Sequence, residues 1–291
     1  MYQSFGRVIA VLRAERRDED GLPWTQERLG EATGLGVHII QKIEQGKRAP
    51  DPDVMSRLSD AVQLTLWERH ELAVLALGNP PTSPPAEPGA GERAWRRQLD
   101  VLARLSLPAF LYDDFGDLVA ANTRATRLVG LSRETLEADA SWRYARFHTM
   151  RVVCDPALGY ASRLGAGWEQ TALRQMLFFR RISLKRRAEP AMADRLQELQ
   201  RLPQFRLLWD MAIHVRDWPE PGLIEYAHAH PATGQPLRYL GAPTVQPTPW
   251  GELVLGMFVP LNAETAAAFA DLVQENEAVA LADWPKWIVD H

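Results

Sequence analysis

Residues 25–50, TQERLGEATGLGVHIIQKIEQGKRAP, predict two short helices joined by a tight turn. The first should run from Thr25 to Ala32 with Leu29 and Ala32 inward, and Gly34 should end it, because glycine adopts the left-handed conformation found at helix ends. The second should run from Val37 to Gln45. A turn this short makes the helices cross steeply, so the second can protrude into the groove of a partner.

The second helix has one apolar and one polar side. At about 100° per residue, Ile39, Ile40 and Ile43 share an arc with Gly36. The opposite arc presents the residues predicted to contact DNA bases: Val37, His38, Gln41 and Lys42. Gln and His can pair with base edges, Lys with guanine or phosphate, and Val with a thymine methyl group. Two helices alone also fit a small helical hairpin with a solvated face.

The spacing TQxxLxxxxGL followed by IxxIExGxRxP resembles the phage repressor and Cro type of helix-turn-helix, the xenobiotic-response-element class of bacterial regulators. The resemblance implies a helical, lambda-repressor-like domain that binds double-stranded DNA. It places Gln26 on the DNA backbone and the four exposed residues of the second helix on bases. Glu44 and Gly46 match the pair that ends this helix in the family. Gly36 departs from the usual Ser or Thr cap, but glycine caps nearly as well.

Charge is distributed unevenly along the 291 residues, whose net charge is −4. Residues 1–78 carry 10 Lys or Arg and 12 Asp or Glu, residues 92–216 carry 21 and 14, and residues 217–291 carry 2 and 10. Because the candidate DNA-binding region is not basic overall, attraction to phosphates must be local. The available cations are Arg13, Arg16, Arg17, Lys42, Lys47 and Arg48. Of these, Arg13, Lys47 and Arg48 are expected to contact the DNA backbone, together with the uncharged Gln26. Tight binding should then require a homodimer.

The composition is that of a globular protein, with 46% hydrophobic and 24% charged residues. No apolar stretch approaches the roughly 20 residues that span a bilayer, and Met1 to Arg17 lacks the apolar block of a signal peptide. The single cysteine, Cys154, excludes an internal disulfide and a cysteine-cluster metal site. We therefore expect a cytoplasmic protein with no membrane partner.

Composition shifts divide the chain into four segments. They are a helix-turn-helix domain at 1–78, a proline-rich linker NPPTSPPAEPGAG at 79–91, a second domain at 92–276 and an acidic tail at 277–291. The first domain should contain five short helices and be mainly α. Proline makes the linker an extended spacer. An amphipathic helix from Arg93 to Leu105 follows it, and its apolar side fits either a dimer contact or packing on the second domain.

The second domain has an α+β order. Residues 108–122, PAFLYDDFGDLVAAN, predict a strand, an acidic turn and a strand. Helices dominate up to about Ala212. Three strands and a last helix then follow, at Gly222 to Ala227, Pro236 to Val245, Gly251 to Pro260 and Ala263 to Glu275. This order favours an antiparallel sheet with helices covering one face.

The second domain resembles a PAS-type sensor domain and, more closely, the MmyB-like regulators of bacteria. That family joins this helix-turn-helix to a ligand-binding domain of PAS form. The residues that carry the resemblance are Pro108-Ala109 followed by Asp117, Ala120 and Asn122, then Trp168-Glu169, LPQFRLLWDMAIHV from Leu202 to Val215, and His230-Pro231 with Gly234. The linker, the basic segment Arg180 to Arg187 and the C-terminal helix and tail depart from the family pattern.

Residues suited to catalysis or metal binding do not form a recognisable site. Asp113 and Asp114 lie in a turn, where adjacent carboxylates usually face water. His228 and His230 share a strand face, but no acidic or cysteine partner stands at ligand spacing. Cys154 should be buried and inert, and the sequence has no glycine-rich phosphate loop. We predict no catalytic residues, no metal and no cofactor.

Apolar side chains of the second domain predict a cavity for a small apolar, fatty-acid-like ligand. The predicted lining is Phe110, Leu118, Leu173, Leu177, Phe205, Leu208 and Trp209, with Arg180, Arg206 or His214 meeting the ligand carboxylate. The alternative for each of them is ordinary core packing. Together the two domains predict a one-component transcription regulator. The competing hypothesis is a non-enzymatic interaction or dimerisation protein without an effector.

Overall fold

The computed structural model describes residues 3–77, 90–215, 224–248 and 251–282. The chain packs as two compact units. The first unit contains residues 1–82, 177–194 and 209–217, and the second contains residues 83–176, 195–208 and 218–291. Most of the predicted linker lies outside the described residues, as do Trp284 and Trp287 of the predicted tail.

The described residues form fourteen α-helices and six strands. The helices are α1 Gln3–Glu15, α2 Gln26–Thr33, α3 Val37–Glu44, α4 Pro52–Ala61, α5 Leu66–Ala76, α6 Ala90–Arg104, α7 Thr123–Val129, α8 Arg133–Glu137, α9 Thr149–Cys154, α10 Tyr160–Leu164, α11 Trp168–Ser183, α12 Pro190–Leu199, α13 Pro203–Ala212 and α14 Ala263–Asp271. The strands are β1 Ala109–Asp113, β2 Leu118–Asn122, β3 Ile224–Ala229, β4 Pro236–Thr248, β5 Gly251–Pro260 and β6 Ala278–Ala280. The predicted combination of an α domain with an α+β domain is confirmed.

Helices α1 to α5 form the core of the first unit, and their ends follow from local capping. The Asp51 carboxylate accepts from the Val54 amide at the start of α4. Thr65 and Glu68 form the predicted capping box at the start of α5. The core contains Phe5, Val8, Ile9, Leu12, Leu29, Ile40, Ile43, Val54, Leu58, Val62, Leu64, Leu72 and Leu184. Leu184 comes from the short 3-10 helix Leu184–Arg186, so this core draws on the distant segment 177–194.

The second unit is built on an antiparallel sheet with strand order β3-β4-β5-β1-β2-β6. Side chains alternate between its two faces along each strand. One face carries Leu111, Leu253 and Leu255, which form a core cluster with Trp95 and Leu102 of α6. Helix α6 therefore packs on this sheet, which settles one of the two predicted roles for its apolar side.

Three expectations from sequence need correction. Ala32 is exposed, and Thr33 takes the inward position because its hydroxyl donates to the Leu29 carbonyl over 2.7 Å. Helix α14 ends at Asp271 rather than Glu275. Residues 278–280, predicted to belong to a tail, form β6 and pair with β2. The backbone of β2 thereby gains a partner along an edge that would otherwise be unpaired.

Candidate functional site

The turn between α2 and α3 is built on glycines. Gly34 follows α2 with φ 66°, in the left-handed region. A Cβ at Gly30 would lie 2.8 Å from the Leu35 carbonyl oxygen, so a larger residue would push the turn open. Gly36 is the N-cap of α3, so no capping side chain accepts a hydrogen bond from the first amides of this helix. The predicted glycine turn is confirmed, and it sets the direction in which α3 starts.

Helix α3 exposes the side that is predicted to contact bases. Ile40 and Ile43 on its inner side are fully buried. Its outer side carries Val37, His38, Gln41 and Lys42. Val37 is half-buried and the other three are exposed. These residues can therefore be approached by a partner, and their contact with bases stays a prediction.

The Glu44 carboxylate at the end of α3 holds two residues that were expected on the DNA backbone. Arg13 Nε donates to Glu44 Oε1 over 2.7 Å, and Gln26 donates to Oε2 over 2.7 Å. The side chains of Arg13 and Glu44 are only 16% and 6% exposed. Arg13 is thus turned inward to fasten α1 to α3, which argues against its predicted contact with phosphate. Lys47 and Arg48 are exposed just beyond α3.

The inner side of α3 is held at a close approach to α1. A Cβ at Gly6 would lie 2.4 Å from the carbonyl oxygen of Glu44 and 2.5 Å from that of Ile43. Both obstacles are backbone atoms, which cannot move aside as a flexible side chain would. Gly6 therefore sets the distance between the two helices and, with it, the position of the exposed side of α3.

A buried charge cluster adjoins α5 within the first unit. Arg180 Nε donates to Glu68 Oε1 over 3.0 Å, and an Arg187 nitrogen lies 3.5 Å from the same oxygen. Both guanidinium groups lie over the Trp209 ring, at 4.5 and 4.4 Å from its centroid. Burial raises the pKa of Glu68, but the two arginines and the hydrogen bond from the Thr65 amide together outweigh burial and leave that pKa lowered.

Arg180 was expected to meet a ligand carboxylate, and the structure commits it to this cluster. Besides Glu68, its guanidinium donates to the Trp209 carbonyl over 3.0 Å. Arg187 also donates to both oxygens of Glu15 over 2.8 Å. Much of the charge in the basic segment is thus paired inside the first unit, which argues against Arg180 as a ligand anchor.

The second unit gathers aromatic rings on the sheet face opposite α6. Tyr226 and Tyr239 are register partners whose rings stack at 5.1 Å. Phe258 packs against both, at 5.2 and 4.8 Å. Phe110 meets Phe258 edge-on at 5.8 Å. We call this surface the aromatic face. The Tyr226 ring lies directly over Gly241, where a Cβ would come within 2.8 Å of it.

Tyrosine hydroxyls cluster above the aromatic face. The Gln175 amide of α11 donates to the Tyr226 hydroxyl over 3.0 Å and lies 3.5 Å from the hydroxyl of Tyr160 on α10. Burial, followed by the proximity of Tyr160, raises the pKa of Tyr226 and of Tyr239 well above the ordinary value. Burial also raises the pKa of Tyr112. We call these four tyrosines and Gln175 the tyrosine cluster, and each member is uncharged near pH 7.

The residues predicted to line an apolar pocket are divided between the units. Leu177 and Trp209 fall in the first unit, and the second unit contains Phe110, Leu118, Leu173, Phe205 and Leu208. Phe110 belongs to the aromatic face, and Leu118 is the register partner of Tyr112 on that face. The remaining predicted anchors, Arg206 and His214, are exposed.

Sequence reasoning missed the tyrosines of the aromatic face. Tyr226 and His228 alternate on β3, as do Leu237 and Tyr239 on β4, and this alternation is the signal that could have placed them on one buried face. Gln175 carried no such signal, because nothing in a helical pattern distinguishes a buried amide that meets a hydroxyl from a surface amide.

The residues weighed earlier for catalysis or metal binding lie in buried positions or in a turn. Asp113 and Asp114 are buried at 2% and 1% exposure rather than facing water; the Asp113 carboxylate accepts from the amides of Phe115 and Asp117 and closes the turn. Cys154 is buried as predicted, and burial raises the pKa of its thiol to about 12. Across the described residues, no three His, Cys, Asp or Glu side chains gather as a metal ion would need.

Comparison with known families gives two matches along the chain. The model of the MmyB-like transcription regulator ligand binding domain matches residues 94–272. A helix-turn-helix family model matches residues 15–66. A search of curated proteins gives no match. Within the residues that the structure describes, every helix is too short or too polar to cross a bilayer.

Proposed function

Because this chain belongs to the MmyB-like transcription regulators, with a helix-turn-helix ahead of that family's ligand-binding domain, we propose that it is a one-component, sequence-specific regulator. The observation that carries this proposal is the exposed polar side of α3, presented by a buried isoleucine side and fixed by Gly6. We propose that His38, Gln41 and Lys42 pair with base edges and that Val37 contacts a thymine methyl group.

Contacts with the DNA backbone follow from the cations that stay exposed. Lys47 and Arg48 lie directly after α3 and are not drawn into the ion pair that occupies Arg13. Gln26 is half-buried at the start of α2, with its amide on Glu44, and reaches a phosphate only if that bond is shared or exchanged. Since so few cations serve one copy, we propose a homodimer that places two α3 helices about one DNA turn apart.

The second unit supplies the effector site in this proposal. We propose that its PAS-type domain binds a small, elongated apolar molecule of the fatty-acid type against the aromatic face. Phe110 and Leu118 support this, since both lie on that face. Occupancy would act on DNA binding by favouring one arrangement of the two copies over another. We propose no catalytic step for the protein.

The test is a double substitution, Gln41→Ala with Lys42→Ala, assayed by gel shift on genomic fragments that the native chain retains. Both side chains are exposed, so the variant should keep its melting temperature while its affinity falls about 10-fold or more. The matched control is Gln197→Ala with Arg201→Ala, which also removes one exposed amide and one exposed cation. If the α3 variant kept the native affinity for DNA, the assignment of the outer side of α3 to base contacts would be refuted.

Salt dependence separates the regulator from an interaction protein whose helix-turn-helix only binds other proteins. For the regulator, the logarithm of the DNA affinity should fall linearly with the logarithm of the salt concentration. Replacing Lys47 and Arg48 with alanine should make that slope shallower by about two phosphate contacts. Retention that ignores salt, or no retention at all, favours the interaction protein.

A further inference from the structure

The tyrosine cluster contains a buried polar atom with nothing to bond. Tyr239 is fully buried, and its hydroxyl finds no hydrogen-bond partner among the described residues. Native proteins pair nearly all such groups with protein, ordered water or ligand. The Tyr239 ring stacks on that of Tyr226 at 5.1 Å, and the Gln175 amide that donates to the Tyr226 hydroxyl also reaches the hydroxyl of Tyr160. The cluster is thus a hydrogen-bonding site with unused capacity.

The rings that carry these hydroxyls are held firmly. Tyr239 is stacked on Tyr226 and touches Phe269 of α14 edge-on at 5.4 Å. Tyr226 is seated on Gly241 and bonded to Gln175. Because packing fixes the rings on several sides, the Tyr239 hydroxyl cannot swing to a new partner. A partner has to come to it.

The groups of this cluster are neutral hydrogen-bonding groups rather than cations. Arg174 acts on Tyr226 but already has an interaction of its own, and the guanidinium that acts on Tyr160 is that of Arg163, which is engaged elsewhere. It donates to the Val129 carbonyl over 2.6 Å and to the Leu158 carbonyl over 2.9 Å. A carboxylate placed among the phenols would lose its hydration without meeting a free opposite charge, which is costly. An uncharged hydroxyl or carbonyl group would exchange ordinary hydrogen bonds instead.

We propose that the tyrosine cluster binds the polar end of the effector and that this end is uncharged, as in an alcohol, an amide or a protonated acid on an apolar body. This inference rests on the proposed function, because it takes the second unit as the effector domain. The aromatic face receives the apolar body, and the Tyr239 hydroxyl donates to or accepts from the polar end. Tyr239 is then a specificity-determining residue, since it discriminates by charge.

The experiment compares decan-1-ol with decanoate on the purified full chain by isothermal titration calorimetry at pH 8. The two probes share a ten-carbon chain and differ in the charge of the polar end. We expect the alcohol to bind at least about 10-fold more tightly than the ionised acid. Lowering the pH towards 5 should narrow the gap as decanoate gains its proton. Equal affinity, tighter binding of the anion at pH 8, or no binding of the alcohol would overturn the inference.

Tyr239→Phe isolates the hydroxyl with almost no change of shape. We expect decan-1-ol to bind about fivefold more weakly to this variant. Its melting temperature without ligand should be equal to or above that of the native chain, because an unpaired buried hydroxyl is removed. The matched control, Tyr144→Phe, removes a hydroxyl from a residue that is 39% exposed and should change neither quantity.

Two results would count against the role of Tyr239. Unchanged alcohol affinity would show that the hydroxyl does not touch the probe. A melting temperature several degrees lower would show that the hydroxyl has a structural bond, such as one to a buried water. Failure of the regulator proposal would be seen separately, as the absence of salt-dependent DNA retention by the native chain. DNA retention by the Tyr239→Phe variant, measured beside it, separates that outcome from the two failures above.

Discussion

Glu68→Gln is the substitution that tests whether the segment 177–194 stabilises the DNA-binding unit. Glutamine keeps an oxygen that can accept from the Thr65 amide, a bond of 2.9 Å in the native chain, so the capping box survives. What is lost is the negative charge between Arg180 and Arg187. The variant therefore removes the ion pairs while preserving the start of α5.

The expected loss of stability is large because none of these charges is screened by water. The side chains of Glu68 and Arg187 are 0% exposed and that of Arg180 is 5% exposed. Removing one partner from a buried ion pair typically costs about 3–5 kcal/mol. Arg187 keeps Glu15 and Arg180 keeps the Trp209 carbonyl, so we expect the lower end, about 3 kcal/mol.

Urea unfolding of the full chain, followed by circular dichroism, measures the effect. The matched control is Glu71→Gln on the same helix, which breaks a half-exposed ion pair with Arg181 at 3.7 Å and should cost at most about 0.5 kcal/mol. Equal losses in the two variants, or a loss below about 1 kcal/mol for Glu68→Gln, would refute the reasoning that breaking a buried ion pair is costly here.

The pH dependence of this difference has a defined sign. The pKa of Glu68 is lowered in the folded chain from an ordinary value of 4.5. A lowered folded pKa means that the carboxylate stabilises the fold above the unfolded pKa and loses that contribution as the pH falls through the folded value. The advantage of the native chain over Glu68→Gln should be complete at pH 7 and should shrink below about pH 4.5.

Three further substitutions or measurements test other parts of the structure. Gly6→Ala should lower the melting temperature and weaken DNA binding, at a cost of about 2 kcal/mol or more, because the new methyl group meets the backbone of Glu44. Glu198→Gln should cost about 2 kcal/mol in urea unfolding, since its buried carboxylate accepts from three successive amides, those of residues 143–145. Cys154 should resist iodoacetamide at pH 8 in the folded chain and react rapidly in urea, because burial raises the pKa of its thiol to about 12.

The helix-turn-helix could be predicted closely from sequence because its signals are local. Gly34, the Asp51 cap and the Thr65 capping box each act within four residues along the chain. The isoleucine side of α3 also follows from helical spacing alone. The prediction that Ala32 points inward was wrong, and the reason is also local. Thr33 buries its hydroxyl by bonding to the preceding turn, so a polar residue could take the inward position.

For the sheet of the second unit, the individual strands could be predicted from sequence, but the pairing of the strands could not. Strands β1 to β5 follow from alternation and turn residues, whereas their order depends on contacts between residues far apart along the chain. Strand β6 spans only three residues, too few for alternation to distinguish it from a tail. The tyrosine cluster depends on the register that brings Tyr226 opposite Tyr239, and the sequence does not fix that register.

Arg180 shows most clearly where inference from sequence ends. An arginine near an apolar helix fits a ligand anchor and a structural ion pair equally well, because the side chain is the same in both. The choice depends on whether a carboxylate lies within reach, and Glu68 stands 112 residues earlier in the chain. Once the pair forms in a dry interior, withdrawing the arginine would leave Glu68 buried and uncompensated. The cost of that state opposes the movement of Arg180 to a ligand, which is why we propose that an effector finds its polar partner elsewhere.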